Sequence, residues 1–90
     1  MHKIFKYKLE FDKMEVLMPV GAKILSFQSQ GGIPCIWALV NTNAKKHQLR
    51  KFFIVGTGEP MTSMALAGLE YIGTAQMSLY LVYHLFEVVR

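Results

Sequence analysis

Cysteine, charged residues and long apolar runs are all scarce in this chain of 90 residues. A single cysteine, Cys35, leaves no disulfide to form within the chain, which favours a reducing compartment such as the cytosol. Only 18% of the residues are charged and 52% are hydrophobic, a composition that excludes intrinsic disorder. Charges near the start interrupt any secretory signal, and the uncharged segment 71–86 is shorter than the ~18 apolar residues of a membrane helix. We therefore expect one domain, residues 1–90, in the cytoplasm and without a membrane partner.

Two segments, 33–40 and 79–89, are apolar at almost every position. A strand that covers a core on one face and meets water on the other alternates apolar with polar residues. Neither segment alternates, so we expect both faces of each strand to be buried at the centre of the fold. Because a chain of this size has little material to cover them, the pattern predicts self-association into a homo-oligomer.

The rest of the chain alternates like ordinary strands separated by short turns. Segment 3–11 carries lysines on its polar face, as edge strands often do, and Leu25 and Phe27 are expected to face inward on a later strand. Gly31 and Gly32 lie between two strand-like segments, which predicts a hairpin turn in which both residues need positive φ. Only 61–68 favours a helix, of one or two turns. The predicted fold is all-β, a compact single-domain sandwich or barrel of six or seven strands with at most that one helix.

Residues suited to catalysis or metal binding do not cluster along the sequence. The three histidines share no metal-ligand spacing, Cys35 has no companion, and the acidic residues show no pairing suited to acid–base chemistry. We therefore expect no enzyme activity, no catalytic residue, no metal and no cofactor.

A net charge of +4 favours an anionic partner, and a few residues could bind one. A Gly-Thr-Gly sequence after a strand can be a backbone nest for an anion or simply a tight turn. A tryptophan on an apolar strand can stack on a base or pack in the core, and a histidine there can contact a ligand or lie in a subunit interface. The candidate ligand-binding residues are Trp37, Arg50, Gly56, Thr57, Gly58 and His84.

A family resemblance is carried, in order, by segments 4–9, 18–26, 28–40, 53–58, 71–74 and 82–87. Together they resemble a family of small phage and prophage proteins known only as a domain of unknown function. The resemblance implies a viral origin and action in the cytoplasm of a bacterial host, and it brings no established activity. The family usually has histidine where this chain has Glu59, and a shorter segment than 61–68, so Glu59 weakens the anion-nest interpretation of the Gly-Thr-Gly loop.

These observations lead to a first hypothesis and two alternatives. Small phage proteins often act on the host, so we expect a non-enzymatic accessory protein that antagonises antiviral defence by sequestering a nucleotide signal as a homo-oligomer. The alternatives are an inhibitor that binds a host defence protein, and a structural or accessory phage protein without a ligand. Nucleic acid is an unlikely partner because the basic residues are only weakly clustered.

Overall fold

The computed structural model describes residues 1–62 and 66–89, and these residues form seven β-strands. In chain order the strands are β1 (His2–Lys8), β2 (Glu15–Pro19), β3 (Lys23–Gln30), β4 (Ile33–Asn41), β5 (His47–Gly56), β6 (Leu69–Gln76) and β7 (Val82–Val88). All paired strands are antiparallel. The predicted all-β class and number of strands are confirmed.

Strands β1, β4 and β3 form a three-stranded sheet, in that order. The middle strand is β4, which covers most of the first segment without a polar face, so its predicted central position is confirmed. Its residues Ile36, Ala38 and Val40 point into the core, and Tyr7 of β1 and Phe27 of β3 lie opposite Ile36. Edge strand β1 is exposed along most of its length, as its lysines indicated.

The four-stranded sheet has the order β2, β5, β7, β6. β7 lies inside this sheet, so the predicted central position of the last strand is confirmed. The expected burial of both its faces is wrong, because its outer-face residues are only half-buried. Phe52 of β5 and Leu85 of β7 point from the inner face of this sheet toward the three-stranded sheet. β3 and β6 are edge strands of the two sheets, and they approach each other closely. A Cβ added to Gly73 of β6 would lie 3.5 Å from the Cβ of Phe27 in β3.

One hydrophobic core lies between the two sheets. Its buried members are Leu9, Met18, Ala22, Phe27, Ile36, Ala38, Val40, Phe52, Ala75 and Leu85. Residues that precede or follow these along a strand point to the opposite, outer face of the same sheet. This alternation assigns the outer faces on which the candidate site is built.

The turn between β3 and β4 has the predicted hairpin geometry. Gly31 and Gly32 have φ of 61° and 81°, and Gln30 pairs with Ile33 on either side of them. Two consecutive positive φ values are typical of a type I′ turn, which glycine adopts without the steric cost that a Cβ brings. The turn therefore fixes the register that aligns β4 with its neighbours.

Two details of the sequence prediction are wrong. Leu25 is 45% exposed because a β-bulge between Ile24 and Ser26 shifts the alternation, and Ile24 packs against the core in its place. The last strand begins at Val82, and residues 77–81 form a loop closed by the Met77 amide, which donates to the Leu81 carbonyl at 2.8 Å.

The helix predicted for 61–68 lies partly outside the described residues. Within them, the Leu66 amide donates to the Thr62 carbonyl at 3.2 Å, which is a single helical hydrogen bond. No helix in the described part of the chain has the length and apolar character needed to cross a membrane.

Candidate ligand-binding site

A row of three aromatic side chains crosses the outer face of the four-stranded sheet. Phe53 of β5 and Tyr71 of β6 both pair with Phe86 of β7, one on each side. The rings of Tyr71 and Phe86 meet edge to face, with centroids 5.6 Å apart and an interplanar angle of 63°. Phe53 and Phe86 are half-buried and Tyr71 is 57% exposed, so this aromatic row is accessible to a ligand.

Beside the aromatic row, four side chains form what we term the hydroxyl–histidine chain. His84 lies two residues before Phe86 on β7 and is therefore on the same face. Its Nε2 is 2.7 Å from the Thr57 hydroxyl, and its Nδ1 is 2.9 Å from the Thr74 hydroxyl. The Tyr71 hydroxyl lies 2.6 Å from that of Thr74 and ends the chain. Both ring nitrogens of His84 are thus engaged by neutral hydroxyl groups.

A tight turn at the end of β5 positions Thr57. The Glu59 amide donates to the Gly56 carbonyl at 3.1 Å, and Gly58 has a φ of 88°. This is the geometry of a type II turn, whose third residue needs a positive φ and is usually glycine. The Thr57 amide donates to the Val82 carbonyl at 3.1 Å, which joins the turn to β7. The Gly-Thr-Gly sequence therefore directs a hydroxyl at the histidine.

A cavity of about 240 Å³ opens between this turn and the outer face of the sheet. It has apolar walls and three polar groups of the hydroxyl–histidine chain, and its main lining residues are Val55, Met61, Phe86, Thr57, Tyr71 and His84. Ligand pockets usually measure about 300–1,000 Å³ and combine apolar walls with a few convergent polar groups. This cavity has that composition but suits one ring or one charged group rather than a whole ligand.

Glu59 places a carboxylate at the rim of the cavity. Its side chain folds back over the turn, since a Cβ added to Gly56 would lie 2.5 Å from a Glu59 carboxylate oxygen. The same residue lines the neighbouring cavity beside the 77–81 loop. A negative charge is therefore present where the Gly-Thr-Gly turn alone would favour an anion.

The contacts of His84 differ from those of the histidine in a catalytic triad. A hydroxyl 2.7 Å from a histidine nitrogen resembles an activated nucleophile. In a catalytic triad a carboxylate at the other nitrogen fixes the tautomer and stabilises the imidazolium. Here that partner is Thr74, whose neutral hydroxyl can either donate or accept. His84 is thus not restricted to the tautomer that takes a proton from Thr57.

The six residues predicted to bind a ligand lie in three places. Gly56, Thr57, Gly58 and His84 come together at the cavity. Trp37 is half-buried on the outer face of the other sheet, where it lies opposite Lys6 and Ser26. Arg50 is a member of neither group, and its surroundings are of a different kind.

Arg50 forms a half-buried ion pair on the inner side of the four-stranded sheet. Its guanidinium bonds to both carboxylate oxygens of Glu87, with Nη2 2.8 Å from Oε1. Its Nη1 also donates to the Ala22 carbonyl at 2.7 Å. The hydrogen bonds that Arg50 donates to Glu87 raise the pKa of Arg50, and desolvation opposes this rise. Each of its three nitrogens donates one hydrogen bond to a protein group, so Arg50 connects β5, β7 and Ala22, directly before β3, and it does not line the cavity.

The sequence reasoning missed the aromatic row, Thr74 and Lys51. Phe86 lies in segment 79–89, whose almost continuous apolar pattern predicts burial of both faces. One sequence signal could have indicated the aromatic row. Phe53 follows Lys51 by two residues and Phe86 follows His84 by two, so each phenylalanine shares a strand face with a polar residue. In the part of the chain that the structure describes, no group of three or more His, Cys, Asp or Glu side chains could hold a metal ion.

The fold and the site define a small all-β protein with a recess on one sheet face that suits a single ring or a single charged group. The chain belongs to the family described as a domain of unknown function, DUF7352, whose model matches residues 1–90. No curated protein and no solved structure matches the chain.

Proposed function

We propose that this protein is a non-enzymatic phage accessory protein that binds a nucleotide signal and thereby antagonises host antiviral defence. The ligand would lie on the outer face of the four-stranded sheet. The observation that carries the proposal is the aromatic row directly beside the hydroxyl–histidine chain. Capture of the signal at stoichiometric amounts, without turnover, would suffice for sequestration.

The aromatic row suits a nucleobase. Aromatic side chains on an open sheet face stack bases of any sequence, and each stacked base contributes about 1–3 kcal/mol. Tyr71 is exposed and Phe86 contacts it edge to face, so a base can stack on the exposed Tyr71 ring with Phe86 beside it. A surface formed from three neighbouring strands is also more rigid than one formed from a loop.

Polar and charged groups lie on both sides of the aromatic row, displaced from it along the strands. On one side, about 7 Å along the strands, lie His84 and Thr74. On the other side, at the same spacing along β5, Lys51 is exposed and lies opposite Glu15 of β2. A molecule with a flat ring and an anionic group matches this alternation, and nucleotides have both.

Binding can be tested by isothermal titration calorimetry with cyclic mononucleotides and cyclic dinucleotides as probes. We expect at least one probe to bind and to be recovered unchanged. Replacing Phe86 with leucine keeps an apolar side chain but removes the ring, so we expect affinity to fall about 5- to 150-fold. Circular dichroism would check that the variant remains folded.

Trp37→Leu is the matched control, since it removes a ring from the other sheet. We expect this variant to bind the probe as the parent protein does. A loss of affinity in Trp37→Leu with full binding in Phe86→Leu would place the ligand on the three-stranded sheet. Failure of every probe to bind would contradict the proposed function.

Self-association is part of the proposal, because the same outer face continues into exposed leucines. Leu17 and Leu49 pair across β2 and β5 and are 57% and 59% exposed. Apolar side chains that adjoin one another on a surface are typical of interaction sites. A second copy packed on these leucines would enclose a ligand that the cavity alone is too small to hold.

Light scattering tests this assembly. We expect a mass that is a multiple of the 10.3 kDa of one chain, and we expect Leu49→Glu to reduce it toward one chain, because a charge in an apolar contact is unfavourable. Leu25→Glu, a comparable exposed leucine on the three-stranded sheet, should leave the mass unchanged. A parent mass of one chain at micromolar concentration would contradict self-association.

Inhibition of a host defence protein is the second candidate function, and one observation favours it. Leu79 and Tyr80 at the tip of the 77–81 loop are 83% and 95% exposed, and apolar side chains presented in this way can enter a pocket of another protein. A host protein retained by the parent but not by Tyr80→Ser, in the absence of any nucleotide binding, would favour this candidate.

A further inference from the structure

The number of protons in the hydroxyl–histidine chain limits what its ends can donate. When His84 is neutral, Thr57, His84, Thr74 and Tyr71 each contribute one proton. The chain has three hydrogen bonds, and each bond uses one of these four protons. One proton is left over. Therefore only one end of the neutral chain, Thr57 or Tyr71, can donate to a ligand at a time.

Protonation of His84 changes this count. Both ring nitrogens then donate, so Thr57 and Thr74 must accept at the distances of 2.7 and 2.9 Å. The Thr74 hydroxyl then donates to the Tyr71 oxygen, 2.6 Å away, so the Tyr71 hydroxyl is free to donate a hydrogen bond into the cavity. The Thr57 hydroxyl, which now accepts from His84, is free to donate in the same way. The charged chain therefore donates from both ends at once.

Both end residues of the chain line the same cavity. Thr57, Tyr71 and His84 are among its lining residues, and Thr74, which is not, joins His84 to Tyr71. A group that accepts two hydrogen bonds and carries a negative charge matches the protonated chain. A neutral group that accepts one bond is served equally well by the neutral chain.

From this geometry we infer that the cavity receives the phosphoryl group of the nucleotide, and that binding is accompanied by uptake of one proton at His84. The inference rests on the proposed function and specifies which end of the ligand enters the cavity. The base is then left to the adjacent aromatic row. The size of the cavity, about 240 Å³, agrees with a single charged group rather than a whole nucleotide.

Two other titratable groups face His84 from the elements packed around it. Tyr71 comes from β6 and is a member of the chain, and Glu59 comes from the segment after β5. The side chains that β5 and β7 add to the cavity, Val55, Thr57 and Phe86, are uncharged. The Glu59 carboxylate repels a phosphoryl group, so its removal has a distinct and measurable effect.

Calorimetry in two buffers of different ionisation enthalpy, at one pH, counts the protons taken up on binding. The probes are 3′,5′-cyclic AMP and cyclic GMP. Adenosine and guanosine, which lack the phosphate, are the control compounds. Phosphodiesters are chosen because a phosphate monoester itself titrates near pH 6. We expect uptake approaching one proton with the cyclic nucleotides and none with the nucleosides. Affinity for the nucleotides should fall by up to tenfold per pH unit as the pH rises through the range of about 5 to 8 in which histidines titrate.

Conservative substitutions distinguish protein contacts with the phosphoryl group from contacts with the base. Tyr71→Phe keeps the ring in the aromatic row and removes one donor, so cyclic nucleotides should bind about tenfold to hundredfold more weakly and nucleosides as before. Thr57→Val removes the other donor with the same expected result, and Thr57→Ser should restore binding. His84→Gln retains hydrogen bonding without titrating, so proton uptake should disappear. Glu59→Gln should tighten nucleotide binding.

Each outcome decides between the inference and the proposed function. Nucleotides that bind without proton uptake, or nucleosides that bind as tightly as nucleotides, overturn the inference and leave the proposed function intact. Tighter nucleoside binding in the parent than in Glu59→Gln would show that the carboxylate receives the base, which also overturns it. If neither nucleotides nor nucleosides bind, both the inference and the proposed function fail.

Discussion

Replacing Glu87 with leucine is expected to lower the free energy of unfolding by about 3–5 kcal/mol. The Arg50 guanidinium would then keep its charge without its carboxylate, at a place where the two side chains are only 15% and 13% exposed. A small domain has a total stability of about 5–15 kcal/mol, so this loss would leave it close to unfolding. Urea denaturation followed by circular dichroism measures the change.

Raising the pH is not expected to relieve this destabilisation. Hydrogen bonding to the Glu87 carboxylate raises the pKa of Arg50 in the parent protein. Arginine is in any case protonated throughout the accessible pH range, so its folded-state contribution is fully present and is not titrated away at mildly alkaline pH. The guanidinium of the variant therefore stays charged and still bonds to the Ala22 carbonyl.

The double variant Arg50→Met, Glu87→Leu is the control for this prediction. Apolar residues of similar size often replace a buried ion pair at little cost in stability, so we expect it to be much closer to the parent than Glu87→Leu is. If the single and double variants were equally stable, the pair would be hydrated rather than desolvated, and the explanation would be wrong.

The second large effect is expected at Leu85, a core residue of β7. Leu85 is fully buried between the sheets, and its truncation to alanine leaves a cavity as well as losing apolar burial. Leu→Ala changes at such positions typically lower the free energy of unfolding by about 2–5 kcal/mol. The midpoint of urea denaturation should fall accordingly, with an unchanged dependence on denaturant concentration.

Leu79→Ala is the matched comparison, because the same substitution is made six residues earlier in a segment that the sequence predicts to be one strand. Leu79 is 83% exposed at the loop tip, so we expect a change within about 0.5 kcal/mol. Equal losses for the two variants would mean that the loop tip is covered in solution, for example by another copy of the chain.

Most of the fold follows from two kinds of sequence signal. The segments without a polar face became the interior strands β4 and β7, because a strand with neighbours on both sides loses water from its edges as well as from its core face. Gly31 and Gly32 specified their turn because both positions need a positive φ. The errors at Leu25 and at 79–81 have one cause: a bulge and a hairpin loop are local departures from alternation, and apolar residues can occupy both.

The candidate site was less accessible to prediction. Gly56, Thr57 and His84 were identified, but their association depends on the pairing of β5 with β7, which no local pattern reveals. Arg50 was identified by its charge, and its partner Glu87 lies 37 positions away. The exposure of Tyr71 and Phe86 in the aromatic row is not predictable from the sequence, because it depends on which face of the sheet the rest of the chain leaves uncovered.

The lysines of β1 oppose the addition of further strands at the free edge of the three-stranded sheet. Its free edge is a seven-residue strand without proline or a bulge, a shape that invites strand addition by another copy. Lys6 and Lys8 share the outer face of this strand, so antiparallel docking of two such edges with that face in common would place them near those of the next copy, and the repulsion discourages fibril growth. The lysines therefore oppose open-ended growth through this edge, and concentrated solutions should stay free of fibrils.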